Sequence, residues 1–191
     1  MNRFGLYCLV FMFSLNGWAQ NDFITKSIEI LAGSELSIKG DTNISEFGCE
    51  FSTYYLEECR EVVYKRIGNN IHFKNAVLSL KNKGFNCGHK IINKDFHALL
   101  NTKEYPNITL ELNEITFNKS NEKVAHVLIT IAGTQKEYTF PIDVISSSLN
   151  RFVGKLKLNI NDFNLEPPKK MFGLIVIKDE IEIDFNLVAR L

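Results

Sequence analysis

The chain has 191 residues, of which 45% are hydrophobic, 12% aromatic and 23% charged, and its 22 basic residues equal its 22 acidic ones. This composition is that of an ordinary globular protein and excludes a disordered, collagen-like or disulfide-dense chain. The neutral balance argues against a nucleic-acid partner, because such proteins need a basic surface for phosphate contacts. The length suits one domain.

The N-terminus has the pattern of a cleavable export signal. Arg3 makes the first residues basic, and residues 6–15 form an apolar run. The small residues Gly17 and Ala19 follow this run and match the site that a signal peptidase cleaves. We predict a signal peptide at residues 1–19 and one mature domain at residues 20–191, in the periplasm or outside the cell. The alternative is an N-terminal core strand or anchor helix, although the apolar run is too short to span a bilayer.

The predicted mature chain has three cysteines. The compartments that exported proteins reach are oxidising, so one intrachain disulfide is possible and one thiol is left over. We favour a bridge between Cys49 and Cys87, because each follows a Phe and a turn-prone residue within a hydrophobic segment. Cys59 lies instead in a charged stretch at residues 57–61. Three buried, unpaired thiols are the alternative.

Apolar and polar residues alternate along most of the mature chain, which is the period of strands with one buried face. The pattern begins at Ile28 and is clearest near the C-terminus, where Ile181, Ile183 and Phe185 alternate with acidic residues. Those acids, Glu180 among them, are expected on a solvated outer face.

Two segments break the alternation. The apolar parity shifts between Leu112 and Ile115, as a β-bulge or a strand corner would produce. A short helix is predicted at about 93–101, with Asn93 as its N-cap and an apolar stripe that includes Phe96.

About eight antiparallel strands with one helix are compatible with a sandwich or a closed barrel. A closed barrel of this size has room for one small apolar ligand. The alternation alone leaves open whether the inward residues fill a core or line a cavity. A membrane barrel is a further alternative, which the helix and the lack of aromatic girdles at the strand ends disfavour.

Three segments, in order, resemble the YceI-like family of exported lipocalin-like barrels, also called polyisoprenoid-binding proteins. The first runs from Ile91 through the helix to the Lys-Glu-Tyr-Pro of residues 103–106 and the strand that follows. The second is the hairpin at 129–142, and the third joins residues 158–163 to the closing strand at 179–191. Departures, such as Ala132 where the family often has a His, place the chain in a divergent branch.

The resemblance implies an all-β, antiparallel lipocalin-like barrel that binds an isoprenoid, a quinone-like lipid or another long-chain apolar molecule, with no catalytic residues and no other cofactor. The apolar parity supplies the candidate lining residues, each of which can equally be plain core. They are Phe47, Leu110, Leu112, Phe140, Phe152, Leu156, Leu158, Ile183, Phe185 and Leu187.

The sequence has no residues at the spacings typical of a catalytic or metal-binding site. The histidines at 72, 89, 97 and 126 have no zinc-site arrangement, and phosphate-binding glycine loops are absent. The remaining alternative is an exported protein-interaction or structural module with a filled barrel core, for which the loop at 164–172 is the candidate surface. The sequence leaves the oligomeric state open, a dimer included.

Overall fold

The structure, a computed structural model, describes residues 23–56, 59–167 and 176–190. The predicted signal at 1–19 lies outside these ranges, as does most of the loop at 164–172 considered above. Twelve strands and one α-helix occur in the described part. The strands are β1 (Ile24–Ile30), β2 (Glu35–Thr42), β3 (Glu46–Phe51), β4 (Cys59–Ile67), β5 (Asn70–Lys74), β6 (Val77–Lys81), β7 (Phe85–Asn86), β8 (Asn107–Phe117), β9 (Lys123–Ile131), β10 (Thr134–Ser146), β11 (Asn150–Asn159) and β12 (Ile177–Arg190).

Eight of these strands form a closed ring in the order β1-β4-β5-β8-β9-β10-β11-β12, and β12 pairs back to β1. All the pairings are antiparallel. The strand β12 is long enough to pair with β2 along Ile177–Asn186 and then with β1 through Ala189 and Arg190. The strands β2, β3 and β7 continue from this side, and β6 pairs with β8. The alternation left a sandwich and a closed barrel open, and the antiparallel barrel of about eight strands that the family resemblance implied is confirmed.

The registers of the paired strands show which residues of each ring strand lie on the inward face. Leu156 of β11 is opposite Ile183 of β12, and Ala189 farther along β12 is opposite Ile30 of β1. The same face continues through Tyr64 and Phe73 to β8, and from β8 to β10. Because neighbours in register share a face, these positions all point into the barrel.

The parity shift in β8 is a break in register. Leu112 is opposite Val127 and Glu114 is opposite His126, so Asn113 is an extra residue in β8. Such a bulge restores Ile115 to the inward face after the shift. The β-bulge predicted from the sequence is confirmed.

The α-helix α1 spans Lys90–Leu99, which is earlier than the predicted 93–101, and Asn93 is not its cap. His89 is the N-cap, and its Nδ1 atom accepts a hydrogen bond from the backbone N–H of Ile91 at 3.2 Å. The side chain of Asn93 instead accepts a hydrogen bond from the backbone N–H of Cys87 at 2.6 Å. The helix begins one turn earlier because an imidazole nitrogen can serve as the acceptor that an Asn was expected to provide.

A disulfide joins Cys49 in β3 to Cys87, which lies between β7 and α1. This is the pair that the flanking residues favoured. Both cysteines are buried in the same apolar cluster as Phe51 and Phe85, whose rings meet edge to face at 4.8 Å. The bridge therefore ties β3 to the start of α1. The backbone of Cys59 lies in β4, opposite Glu29.

Candidate functional site

The inward face is unevenly buried along the barrel. Leu156, Leu158 and Ile129 are at most 2% exposed, and Phe163 in the 3₁₀ turn at Ile160–Phe163 is 1% exposed. We call this part of the barrel, together with α1 and the strands β2, β3, β6 and β7, the filled end. Side chains there contact one another on all sides, so it acts as the hydrophobic core.

The opposite end carries the turns β4–β5, β8–β9 and β10–β11, and we call it the hairpin end. Most of the large apolar side chains that face inward here are only half-buried. They come from seven of the eight ring strands, and they are Ile28, Ile30, Tyr64, Ile71, Phe73, Leu112, Phe117, Val144, Phe152, Phe185 and Leu187. Solvent therefore reaches apolar side chains that point into the barrel.

The accessible part of the interior extends well below the rim. On β11, Asn150, Phe152 and Gly154 occupy successive inward positions and are all half-buried, and burial becomes complete only at Leu156. The strand rises about 3.3 Å per residue, so the four steps from residue 150 to residue 154 correspond to about 13 Å along the strand. An apolar chain entering at the hairpin end would contact side chains over that length.

A glycine makes room for an aromatic ring at this level. Gly154 of β11 faces inward and is opposite Phe185 of β12, whose ring lies directly over the glycine backbone. A side chain at position 154 would occupy the same space as that ring. The absence of a Cβ therefore determines where the Phe185 ring lies, and Phe140 contacts this ring edge to face at 5.8 Å.

The ten predicted lining residues are divided between these environments. Leu156, Leu158, Ile183 and Phe140 are buried in the core, at 2%, 2%, 4% and 7% exposure. Four half-buried residues face the accessible interior, and they are Leu112, Phe152, Phe185 and Leu187. The half-buried Leu110 lies lower in β8, opposite the fully buried Ile129, and packs against the core.

The tenth residue, Phe47, lies away from the hairpin end. Its ring covers Gly40 next to the β2–β3 turn, where the neighbouring Ile181 is also half-buried. The structure therefore brings four of the ten predicted residues together at the hairpin end and assigns the other six to the core and to this turn.

Sequence reasoning missed the inward residues of the N-terminal ring strands. Tyr64 and Phe73 contact each other across β4 and β5 with ring centroids 6.1 Å apart. Phe117 lies at the end of β8, past the bulge. In β4 the inward positions also include Arg60 and Arg66, so alternation of apolar and polar residues is weak there. The sequence did contain one signal. Each of these two adjacent strands has an aromatic residue at an inward position, Tyr64 in β4 and Phe73 in β5.

The outer face of β2, β11 and β12 is charged. Lys39 contacts Asp184 at 2.6 Å, Lys155 contacts Glu182 at 2.5 Å and Asp184 at 3.2 Å, and Lys157 contacts Glu180 at 2.9 Å. The hydrogen bond from Lys39 lowers the pKa of Asp184 below its usual value. These acids lie on the solvated face, as predicted.

An open groove of about 750 Å³ crosses this outer face. Its walls include Lys39, Lys155 and Asp184, whose charges are already engaged in the ion pairs above. An apolar tail would gain little there, because the wall offers paired charges rather than continuous hydrocarbon.

A polar contact closes the filled end. The hydroxyl of Tyr138 donates to Asp162 at 2.6 Å and accepts from the backbone N–H of Asn159 at 3.2 Å. Burial and the hydrogen bond to Asp162 raise the pKa of Tyr138 to about 12. The Tyr138 ring also stacks on Phe163 at 6.1 Å.

Metal ligands do not come together within residues 23–56, 59–167 and 176–190, where no group of three His, Cys, Asp or Glu side chains could hold an ion. In the same ranges, no helix has the length and hydropathy that a membrane crossing requires. The hairpin end presents half-buried apolar side chains to the interior of the barrel.

Several solved structures share this fold. BcnA of Burkholderia cenocepacia is 20% identical with a TM-score of 0.66, and the match covers 83% of this chain and 98% of that chain. A polyisoprenoid binding domain from Saccharophagus degradans is 13% identical with a TM-score of 0.59, covering 85% and 97%. The YCEI protein of Campylobacter jejuni is 13% identical with a TM-score of 0.50, covering 98% and 97%.

No curated protein sequence matches the chain. The family model of the YceI-like domain matches residues 63–189, which run from β4 to Ala189 in β12 and exceed half of the chain. The match includes five of the eight ring strands in full, β12 up to Ala189, and the whole of α1. The chain belongs to the family of YceI-like domain proteins.

Proposed function

We propose that the protein is an exported, non-enzymatic binding protein that holds an isoprenoid or another long-chain apolar molecule in its barrel, with the tail inserted from the hairpin end. The observation that carries this proposal is the set of half-buried apolar side chains on the inward face, which reaches from the rim to Gly154. The structural similarity to a polyisoprenoid binding domain from Saccharophagus degradans supports the same class of ligand.

The driving force is burial of the tail. Each methylene removed from water contributes about 0.8 kcal/mol, so about ten methylenes contribute about 8 kcal/mol before the cost of ordering the chain. If ordering the chain cost nothing, a free energy of that size would correspond to a dissociation constant of about 1 μM, so ten methylenes alone bind more weakly than this. Longer tails that reach past Gly154 would need Phe185 to move, because its ring covers that position.

Native mass spectrometry of the purified protein, followed by solvent extraction, tests the proposal. We expect a bound lipid whose mass is recovered in the organic phase, and exchange with added geranylgeraniol after delipidation. The proposal fails if the protein carries no lipid and takes up none of this alcohol.

A matched pair of variants locates the site. Leu187→Trp adds volume inside the barrel opposite Phe152, and Val153→Trp adds the same ring on the outer face of the adjacent strand. The first should reduce geranylgeraniol uptake tenfold or more, and the second should leave it unchanged. Trp18, the single tryptophan of the sequence, lies in the predicted signal, so each variant's new indole would report its own surroundings by fluorescence. Equal effects of the two variants would contradict an interior site.

A further inference from the structure

Basic side chains occupy inward positions at the hairpin end. Arg66 near the end of β4 is opposite the inward Ile71, and its guanidinium lies 5.8 Å from the centre of the Phe117 ring. Lys123, the first residue of β9, is opposite the same Phe117. Arg66 and Lys123 therefore lie on two sides of one aromatic residue at the rim.

Two more cations share this face on the neighbouring strands. Lys26 of β1 is opposite the buried Val62, and it is exposed at the rim. Arg60 of β4 is opposite the inward Ile28, is half-buried, and donates a hydrogen bond to the backbone carbonyl of Val77 at 2.6 Å. The inward face thus carries cations on β1, β4 and β9.

Acidic residues near this end take other positions. Glu29 alternates with the inward residues of β1 and faces outward. Glu114 faces outward on β8, where it accepts a hydrogen bond from Asn70 at 2.8 Å, and Glu122 lies in the β8–β9 turn, bound by Asn118. Among the described residues of the ring, no acidic side chain has an inward position at the hairpin end.

This separation of charge occurs in a chain whose basic and acidic residues are equal in number. The acids of β12 face outward into ion pairs, whereas the rim of the interior is basic. A basic rim around an apolar interior is complementary to a molecule with an apolar tail and a negative head. Charge-assisted hydrogen bonds from Arg and Lys to carboxylate or phosphate are also stronger than those to a neutral hydroxyl.

We propose that the ligand is an anionic amphiphile, whose carboxylate or phosphate head is bound at the rim by Arg66 and Lys123, with Lys26 and Arg60 adding positive charge. This inference rests on the proposed function, because it assigns the head group of a ligand whose tail lies in the barrel. Phe117, which lies between these two cations, is placed to contact the first atoms of the tail.

Two pairs of probes test the head group, each with one tail and two heads. Geranylgeranyl diphosphate is compared with geranylgeraniol, and oleate with oleyl alcohol, by equilibrium dialysis of labelled ligand against delipidated protein. We expect each anion to bind at least tenfold more tightly than its alcohol at low salt, with a smaller ratio at 1 M salt. The pair with the larger ratio distinguishes a phosphate head from a carboxylate head.

The variant Arg66→Gln/Lys123→Gln should abolish the preference for the anion and leave binding of the alcohol unchanged. Its control is Lys65→Gln/Lys74→Gln, which removes the same charge from outward positions of β4 and β5, where both lysines lie over the Phe23 ring. The control should keep the preference. Retained alcohol binding also shows that each variant is folded.

The outcomes separate this inference from the proposed function. If the alcohols bind and the anions bind no better, the anionic head is refuted and the apolar tail stands. If the preference is the same in both double variants, the head group is not at this rim. If neither alcohols nor anions bind the unmodified protein, the proposed function fails and this inference fails with it.

Discussion

Breaking the disulfide between Cys49 and Cys87 should remove a large share of the stability of the protein. The bridge closes a loop with a sequence separation of 38 residues. In the chain-entropy treatment, a loop of this length restricts the unfolded state by about 4 kcal/mol, and measured losses for native bridges are about 2–5 kcal/mol. Small domains are stable by only about 5–15 kcal/mol in total.

Urea denaturation with and without reductant measures this loss. We expect the free energy of unfolding to fall by about 3–4 kcal/mol in the reduced protein and by a similar amount in Cys49→Ala/Cys87→Ala. Cys59→Ala is the control, because it leaves the bridge intact: it should keep the full response to reductant. An unmodified protein that is insensitive to reductant at its unfolding midpoint, or a Cys59→Ala variant that has lost its sensitivity, would refute the reasoning.

Two further predictions concern the interior and the filled end. Gly154→Ala should displace the Phe185 ring, lower the free energy of unfolding by about 1–3 kcal/mol and change lipid uptake. Gly48→Ala is the control, because a Cβ at this strand glycine would lie an ordinary 3.8 Å from the carbonyl oxygen of Ile38, and it should have none of these effects. Equal losses of stability in the two variants would contradict the contact between Gly154 and Phe185. Tyr138 should ionise near pH 12 in ultraviolet titration of the folded protein, and this late step should be missing in Tyr138→Phe. Because the folded pKa is raised above about 10, the stabilisation from Tyr138 is complete below pH 10 and is lost as the pH rises towards 12, so an early ionisation would show that the bond to Asp162 is weak.

The alternation of apolar residues was sufficient to predict the strands and even the bulge in β8. A shift of parity at Leu112 has one simple cause in a strand with a buried face, which is an extra residue. The start of α1 was wrong by one turn, because the sequence does not reveal which of two nearby acceptors, His89 or Asn93, will cap the helix. That choice depends on the loop that the disulfide holds in place.

Depth along the barrel could not be predicted in the same way. Phe152 and Leu156 have the same parity on the same strand, yet one is half-buried and the other is 2% exposed. The alternation of residues along a strand specifies which face a side chain is on. How deeply that side chain is buried depends on which other strands pack around it at that height in the barrel. Those pairings join residues far apart in the sequence. The strand β12 pairs with β2 up to Asn186, and it pairs with β1 only through Ala189 and Arg190.

The position of β12 in the ring also affects how the protein folds. Its neighbours are β11, β2 and β1, so three strands have an unpaired edge until the C-terminal residues arrive. Closure brings Arg190 opposite Glu29, across almost the whole length of the chain. Such a distant contact is formed slowly, because the intervening loop must first lose its conformational freedom. An incomplete chain that is still emerging from the ribosome therefore remains an open sheet, and the interior that would hold a lipid forms only with the last strand.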